Sequence, residues 1–237
     1  MSQLELGLAA NVSARHVSFL ETARAAPSRA MVLQLCETLE VPLNAQNTVL
    51  QAAGFAEVFL NRGLNADELV HVRQAVDWTL QQHNPYPAMA LDKHWTIIKA
   101  NAAATMLLSA VGLNEGDNLL QAMQTSTALR TAITNWPEVV RHMASRLRME
   151  SVKLGHDAVL SEAAENLAAQ LGAGGKHESH VSTAVLSTRY LLNGVELSLF
   201  SMIAQFGSAE DIALEDLKIE LMFPADEATR EFLERCW

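Results

Sequence analysis

From Ser2 to about Phe59 the apolar residues recur three and four positions apart, and a cap or breaker separates each run from the next. That period is helical. Leu6 and Ala10 share one face of a first helix that Ser2 can cap, with Gly7 beside them. Asn11 tolerates the left-handed backbone that ends a helix, and Val12 fills the angle beyond it. Ser13 then caps a second helix that buries Val17 and Leu20. Pro27-Ser28 opens a third, with Met31, Val32, Leu35 and Leu39 at helical spacing, and Pro42 opens a fourth that runs through Leu50 to Gly54.

The stretch FLNRGLNAD reads as a linker, after which Asp67 can cap the helix ELVHVRQAVDWTLQQ, and HNPYP breaks the chain again. Beyond Pro87 the pattern changes. MALD and WTIIKA are short strand-like runs separated by a turn at Asp92-Lys93, and NAAATMLLSAVG returns to a helix. Residues 117–171 read as helical throughout, with Pro137 near a helix start and LGAGGKHES as a loop. STAVLSTRYLL and VELSLFSMIAQF flank Asn193-Gly194, a strong hairpin signal, and KIELMFP and ADEATREFLERC predict a last strand and a closing helix. Helices first, then helices mixed with antiparallel strands, predict two domains: all-α over 1–59, a linker over 60–66, and α+β over 67–237.

Two domains fit within 237 residues. No apolar run approaches the roughly 20 residues of a membrane-spanning helix, so no membrane partner is expected. MSQLELGLAA has no basic region ahead of its apolar part, and Cys36 and Cys236 show no metal spacing, so a reduced, cytoplasmic setting is expected. The net charge of -10 argues against a chain coated for nucleic acid but leaves room for one small reading module. Residues 1–60 carry three basic and five acidic groups; the remainder carries 14 and 22.

A bihelical corner needs a small residue where the helices touch, a left-handed residue at the turn and an apolar residue after it, and Gly7, Asn11 and Val12 supply these in order. With Ser13 as cap, Ala14, Arg15, His16 and Ser18 point away from the Val17/Leu20 stripe, toward bases if the helix enters a major groove. The plainer alternative is a helical hairpin with a solvated Arg and His. The stretch SQLELGLAANVSARHVSFLETARAAPSRAMVLQLCETLEVPLNAQNTVLQAAGF resembles the helix-turn-helix of the XRE family, the Cro and phage-repressor type of bacterial regulator. The resemblance implies a phosphate contact at Gln3, recognition by Arg15, His16 and Ser18 from the helix that Ser13 opens, and backbone-positioning contacts at Arg24, Ser28 and Arg29. Asn11 and Ala23 stand where the family usually has glycine. The family also places a further helix before this motif, so the domain is expected to be N-terminally incomplete, its first helix missing.

The second domain resembles another family. YPAMALDKHWTIIKANAAATMLL is similar to the opening of a PAS-type domain, and NWPEVVRHMASRLRMES together with ELSLFSMIAQFGSAEDIALEDLKIELMFPADEATREFL resembles the MmyB-like ligand-binding domain that follows an XRE module in bacterial regulators. This implies a PAS-like α+β fold holding a small hydrophobic ligand, a fatty acid among the candidates, and no other cofactor. Read from the residues, Trp95, Met106, Leu107, Trp136, Tyr190, Phe200 and Met202 could line a cavity, and Arg146 or Arg148 could meet a carboxylate head; the default for such apolar residues is ordinary core, since interiors are close-packed.

Enzyme chemistry is poorly represented. GAGGKH lacks the first Gly and the hydroxyl residue of a phosphate loop, no G-x-S-x-G elbow occurs, and His177/His180 alone do not make a zinc site. Two functions remain. One is a transcription regulator, not an enzyme, that reads double-stranded DNA as a homodimer under control of an apolar ligand. The other is a ligand-binding or protein-interaction module with a vestigial DNA-binding domain.

Overall fold

A computed structural model describes residues 1–62, 66–171, 185–207 and 209–236. The chain forms two compact units, Met1–Gly63 with Ser208–Glu215 and Leu64–Gly207 with Asp216–Trp237. As the sequence pattern predicts, the first is all-α and the second α+β.

The first unit holds α1 (Gln3–Ala9), α2 (Ala14–Glu21), α3 (Arg29–Thr38) and α4 (Leu43–Ala52). Ser2 and Glu5 form a capping box on α1, while the Ser13 and Ser28 hydroxyls accept from the His16 and Met31 amides and cap α2 and α3. Asn11 turns the chain with φ 50°. The turn is so tight that a Cβ on Gly7 would stand 2.6 Å from the Val12 carbonyl oxygen and 3.1 Å from the Ala14 nitrogen. Val17 and Ala10 are buried between α1 and α2, and Val32, Cys36 and Leu50 form the core between α3 and α4. Leu39, in phase with that core by spacing, caps the end of α3 and is exposed. Buried Asn47 receives the Val58 and Phe59 amides and donates to the Phe59 carbonyl, binding the end of the unit to α4. Pro42 gives α4 no side-chain cap; the Glu215 carboxylate of α11 (Ile212–Glu215) accepts the Leu43 amide instead, at 2.9 Å. The sequence reading leaves 208–215 with the second domain because this contact spans more than half the chain.

In the second unit a short 3-10 turn, Asp67–Leu69, leads into α5 (Val70–Gln82); Asp67 sits inside that turn and makes no cap. Next come β1 (Ala88–Leu91), β2 (Ile97–Ala100) and α6 (Ala102–Ala110). The run 117–171 resolves into α7 (Leu119–Thr125), α8 (Thr127–Ala132), α9 (Trp136–Lys153) and α10 (Ala158–Ala169). A second hairpin, β3 (Thr188–Leu192) and β4 (Val195–Ala204), turns at Asn193-Gly194, both with positive φ, before β5 (Lys218–Pro224) and α12 (Glu227–Arg235). The five strands are antiparallel in the order β2-β1-β5-β4-β3. Val76 and Leu80 of α5 cover Ala88, Ala90 and Ile219 on the outer face, whereas Met89, Leu91, Ile97, Leu199 and Met222 meet the α6–α10 layer on the inner one. Asn101 ties these parts together: its side chain accepts from the Ala88 and Ala104 amides and donates to the Leu80 and Tyr86 carbonyls.

Ala23 adopts φ 53°, a conformation that costs a side-chain-bearing residue about 1–2 kcal/mol. Ala23→Gly should therefore stabilise the first unit by about 1 kcal/mol, whereas Gly7→Ala should destabilise it by about 1–3 kcal/mol through the contact with Val12. Amide hydrogen exchange in α1–α4 reads both, and equal protection in the two variants would contradict this account.

Candidate functional site

The site begins at a turn. The Asp92 carboxylate accepts the His94 and Thr96 amides at 2.9 and 2.8 Å, and Trp95 between them takes φ 68°. This strained backbone drives the indole inward, where Trp95 is 1% exposed. Its Nε1 donates to Glu150 of α9 at 3.1 Å, and two cations lie over the indole, Arg146 and Lys218, each 4.7 Å from a ring centroid.

Glu150 gathers this cluster. It receives Lys218 Nζ at 2.6 Å and Arg146 Nε at 2.8 Å besides the indole. Burial pushes the Glu150 carboxyl upward, but the hydrogen bonds and charges of Lys218 and Arg146 outweigh it and hold the group below the ordinary carboxylate range. Lys218 is pulled below the usual lysine value by its burial, against the opposing attraction of Glu150.

Beside the cluster lies a cavity of about 120 Å³ between the inner face of the sheet and α6–α9. Leucines and four methionines (Met89, Met123, Met143 and Met222) make most of its wall, with Trp95 and Tyr190 at the aromatic positions. Met143, Val139, Thr188, Ser201 and Glu220 are shared with an adjoining, more polar mouth of about 440 Å³ that also touches His142 and Arg146. Glu220 is 8% exposed. Burial raises its carboxyl above the ordinary value, against the lowering effects of a hydrogen bond from Ser201 and the charges of Arg146 and Lys218. Burial and then the Glu220 charge push the Tyr190 phenol upward; burial and Arg146 push His142 down. An apolar cavity with a polar mouth that carries Arg146 and Glu220 suits a small amphipathic guest. Flexible methionines let such a wall adapt to chain length.

In the first unit Arg15, Arg24 and Arg29 are exposed, and His16 and Ser18 are half-buried on α2. The Arg15 guanidinium rests 5.2 Å from the Phe19 ring centroid. Gln3 donates its side-chain amide to Glu21. Ser13 and Ser28 use their hydroxyls as caps, accepting the His16 and Met31 amides.

Comparison with known proteins identifies the second unit. The family described as MmyB-like transcription regulator ligand binding domain matches residues 72–235. The chain belongs to that family. A helix-turn-helix family matches residues 1–45. The chain is also similar to a solved structure, the PAS domain from Bordetella pertussis BvgS, at 16% identity over 72% of this chain and 95% of that one, with a TM-score of 0.31. Among curated proteins none matches the sequence.

Within this MmyB-like domain the residues expected to line a cavity are dispersed. Trp95, Leu107 and Tyr190 stand in the wall and Arg146 at the mouth, while Arg148 is exposed on α9 and lines neither. Trp136 packs in the same core, its indole N–H without a hydrogen-bond partner among the described residues. Met106 is 38% exposed on α6, and Met202 is 50% exposed on β4. Phe200 stacks on Phe223, and its cross-strand partners place it with Met202 on the outer face. The loop with GAGGKH, His177 and His180 lies outside the described residues. Among the described residues no group of three or more His, Cys, Asp or Glu could hold a metal, and no helix is long and apolar enough to cross a membrane.

Glu150, Lys218 and Glu220 escape a reading of the sequence. KIELMFP alternates, and the ordinary expectation turns Ile219, Leu221 and Phe223 to the core and Lys218 and Glu220 to water. Here α5 covers the Ile219 side, so the charged stripe faces the helical layer. The raised Glu220 carboxyl makes stability depend on pH with a definite sign. The folded state keeps a proton that the unfolded state releases, so stability is full below the ordinary value of 4.5 and is lost as pH rises toward the raised one. Over that window the loss is about 1.4 kcal/mol per pH unit, and Glu220→Gln should abolish it. Tryptophan fluorescence during urea unfolding reports this unit alone, since no Trp precedes Trp78; parallel pH profiles for the two proteins would contradict the assignment.

Proposed function

We propose that the chain is a one-component regulator that binds DNA sequence-specifically through α2, acts as a homodimer in the cytoplasm, and senses a small hydrophobic acid, a fatty acid among the candidates. Its membership of a ligand-responsive regulator family and its helix-turn-helix match support the coarser part of this reading. The observation that carries the ligand is the apolar, methionine-rich cavity that opens on a mouth containing Arg146. A homodimer follows from the need to read two half-sites about one helical turn apart. β4 and β5, which supply Ser201 and Glu220 to the site, are joined in sequence through the segment whose Glu215 caps α4. Displacement of those strands by a guest would thus be passed along the chain to the first unit, as an effect on the DNA-competent state requires.

A second reading, ligand storage with a vestigial DNA-binding unit, draws support from the acidic balance of residues 1–60 and from Glu21 holding Gln3. DNA titration of the full chain separates the two. Arg15→Ala and His16→Ala should each weaken specific binding by ~1–3 kcal/mol, and Glu21→Gln should strengthen it by freeing Gln3 and removing a charge near phosphate. Binding that is absent, or insensitive to salt and to all three substitutions, sinks the regulator reading.

A further inference from the structure

The charges around the mouth do not balance in the way a simple carboxylate-binding arginine would suggest. The Arg146 and Lys218 cations face the single Glu150 anion, and Glu220 lies among the same groups from the neighbouring position on β5. The other elements packed around Glu220 contribute polar but uncharged groups. These are Ser201 from β4, Tyr190 and Thr188 from β3, and His142 of α9, whose imidazole is pushed toward its neutral form. With Glu220 ionised the cluster is neutral and presents a carboxylate to any guest. With Glu220 protonated these four side chains carry one net positive charge, which the Asp92 charge acting on Lys218 offsets in part, and Glu220 offers an O–H donor.

Arg146 is poised to use that state. Its Nε donates to Glu150 and the guanidinium lies over the Trp95 ring, but its terminal nitrogens make no hydrogen bond to a described residue although Arg146 borders the mouth. A carboxylate head placed there would accept from Arg146 and from the Glu220 hydroxyl without breaking the Glu150 pairs, while its chain enters the cavity lined by Met89, Met143 and Met222.

We propose that the site captures a monocarboxylic acid with an apolar chain together with one proton, the ligand carboxylate being held between the Arg146 guanidinium and the Glu220 carboxyl in its acid form. The proton comes from solvent, and no covalent bond is made or broken. Glu220 is then the residue that selects an anionic head over an alcohol and ties occupancy to pH. This rests on the ligand-sensing reading of the second unit.

Calorimetric titration of the full chain with octanoate and with octan-1-ol, across pH and in two buffers of different ionisation enthalpy, tests it. On the alkaline side of the Glu220 titration, octanoate should bind with uptake of about one proton and weaken about tenfold per pH unit, whereas octan-1-ol should show neither effect. Glu220→Gln, which keeps shape and a donor, should bind octanoate with no proton uptake and a flat pH profile. Arg146→Met, checked for folding by near-ultraviolet circular dichroism, should lose octanoate by tenfold or more and keep octan-1-ol. Octanoate binding without proton uptake at any pH, uptake that persists in Glu220→Gln, or binding of the alcohol alone overturns the proposal while the apolar cavity stands. Failure of both compounds to bind the unaltered chain overturns the ligand reading as well.

Discussion

Glu150 is the carboxylate around which the second unit is arranged. It takes hydrogen bonds from an indole, a lysine and an arginine that come from a turn, a strand and its own helix. A charge at this depth is tolerable only with such partners, because an unpaired buried ion costs several kcal/mol. The requirement works in both directions. It keeps Trp95 in a left-handed backbone that its own conformational preference opposes, and it brings Lys218, 4% exposed, under the helical layer. The ring of Trp95, with a cation close to it on Arg146 and another on Lys218, thus belongs both to the charged cluster and to the wall of the apolar cavity.

The contrast between two nearby glutamates gives the site its chemistry. Glu150 has two cations in direct contact and remains an anion; Glu220 has the same cations only at a distance and is held toward its acid form by burial. Two carboxyls in one cluster thus differ, one paired and one facing the cavity, because direct hydrogen-bonded pairing outweighs desolvation for the first and not for the second. An arginine at the mouth would attract many anions. An arginine beside a carboxyl that must be protonated is more selective.

The first unit depends on a different constraint, close approach of backbone. Gly7, Asn11 and the Ser13 cap determine how α1 and α2 meet, and each acts within a few residues of its own position. The cap on α4 is the exception, since it comes from Glu215 in a segment lying between β4 and β5 in the sequence. The first unit therefore includes a segment that lies in sequence between two strands of the second.

How much of this could be read in the amino-acid order follows the range of the forces involved. The helix-turn-helix corner, the Asn193-Gly194 turn, the antiparallel sheet and the α+β character of the second unit are all legible, because caps, left-handed residues and hydrophobic period act locally. The wall of the cavity is only partly so: Trp95, Leu107 and Tyr190 are found, while Met106, Phe200 and Met202 fall elsewhere, since periodicity says that a residue is apolar but not which covered face it serves. The sequence by itself determined where the chain turns and which segments are helix or strand. Tertiary structure alone decided that the charged side of KIELMFP faces inward, because α5 had already covered the other side and only Glu150, far away in the chain, could make Lys218 tolerable there.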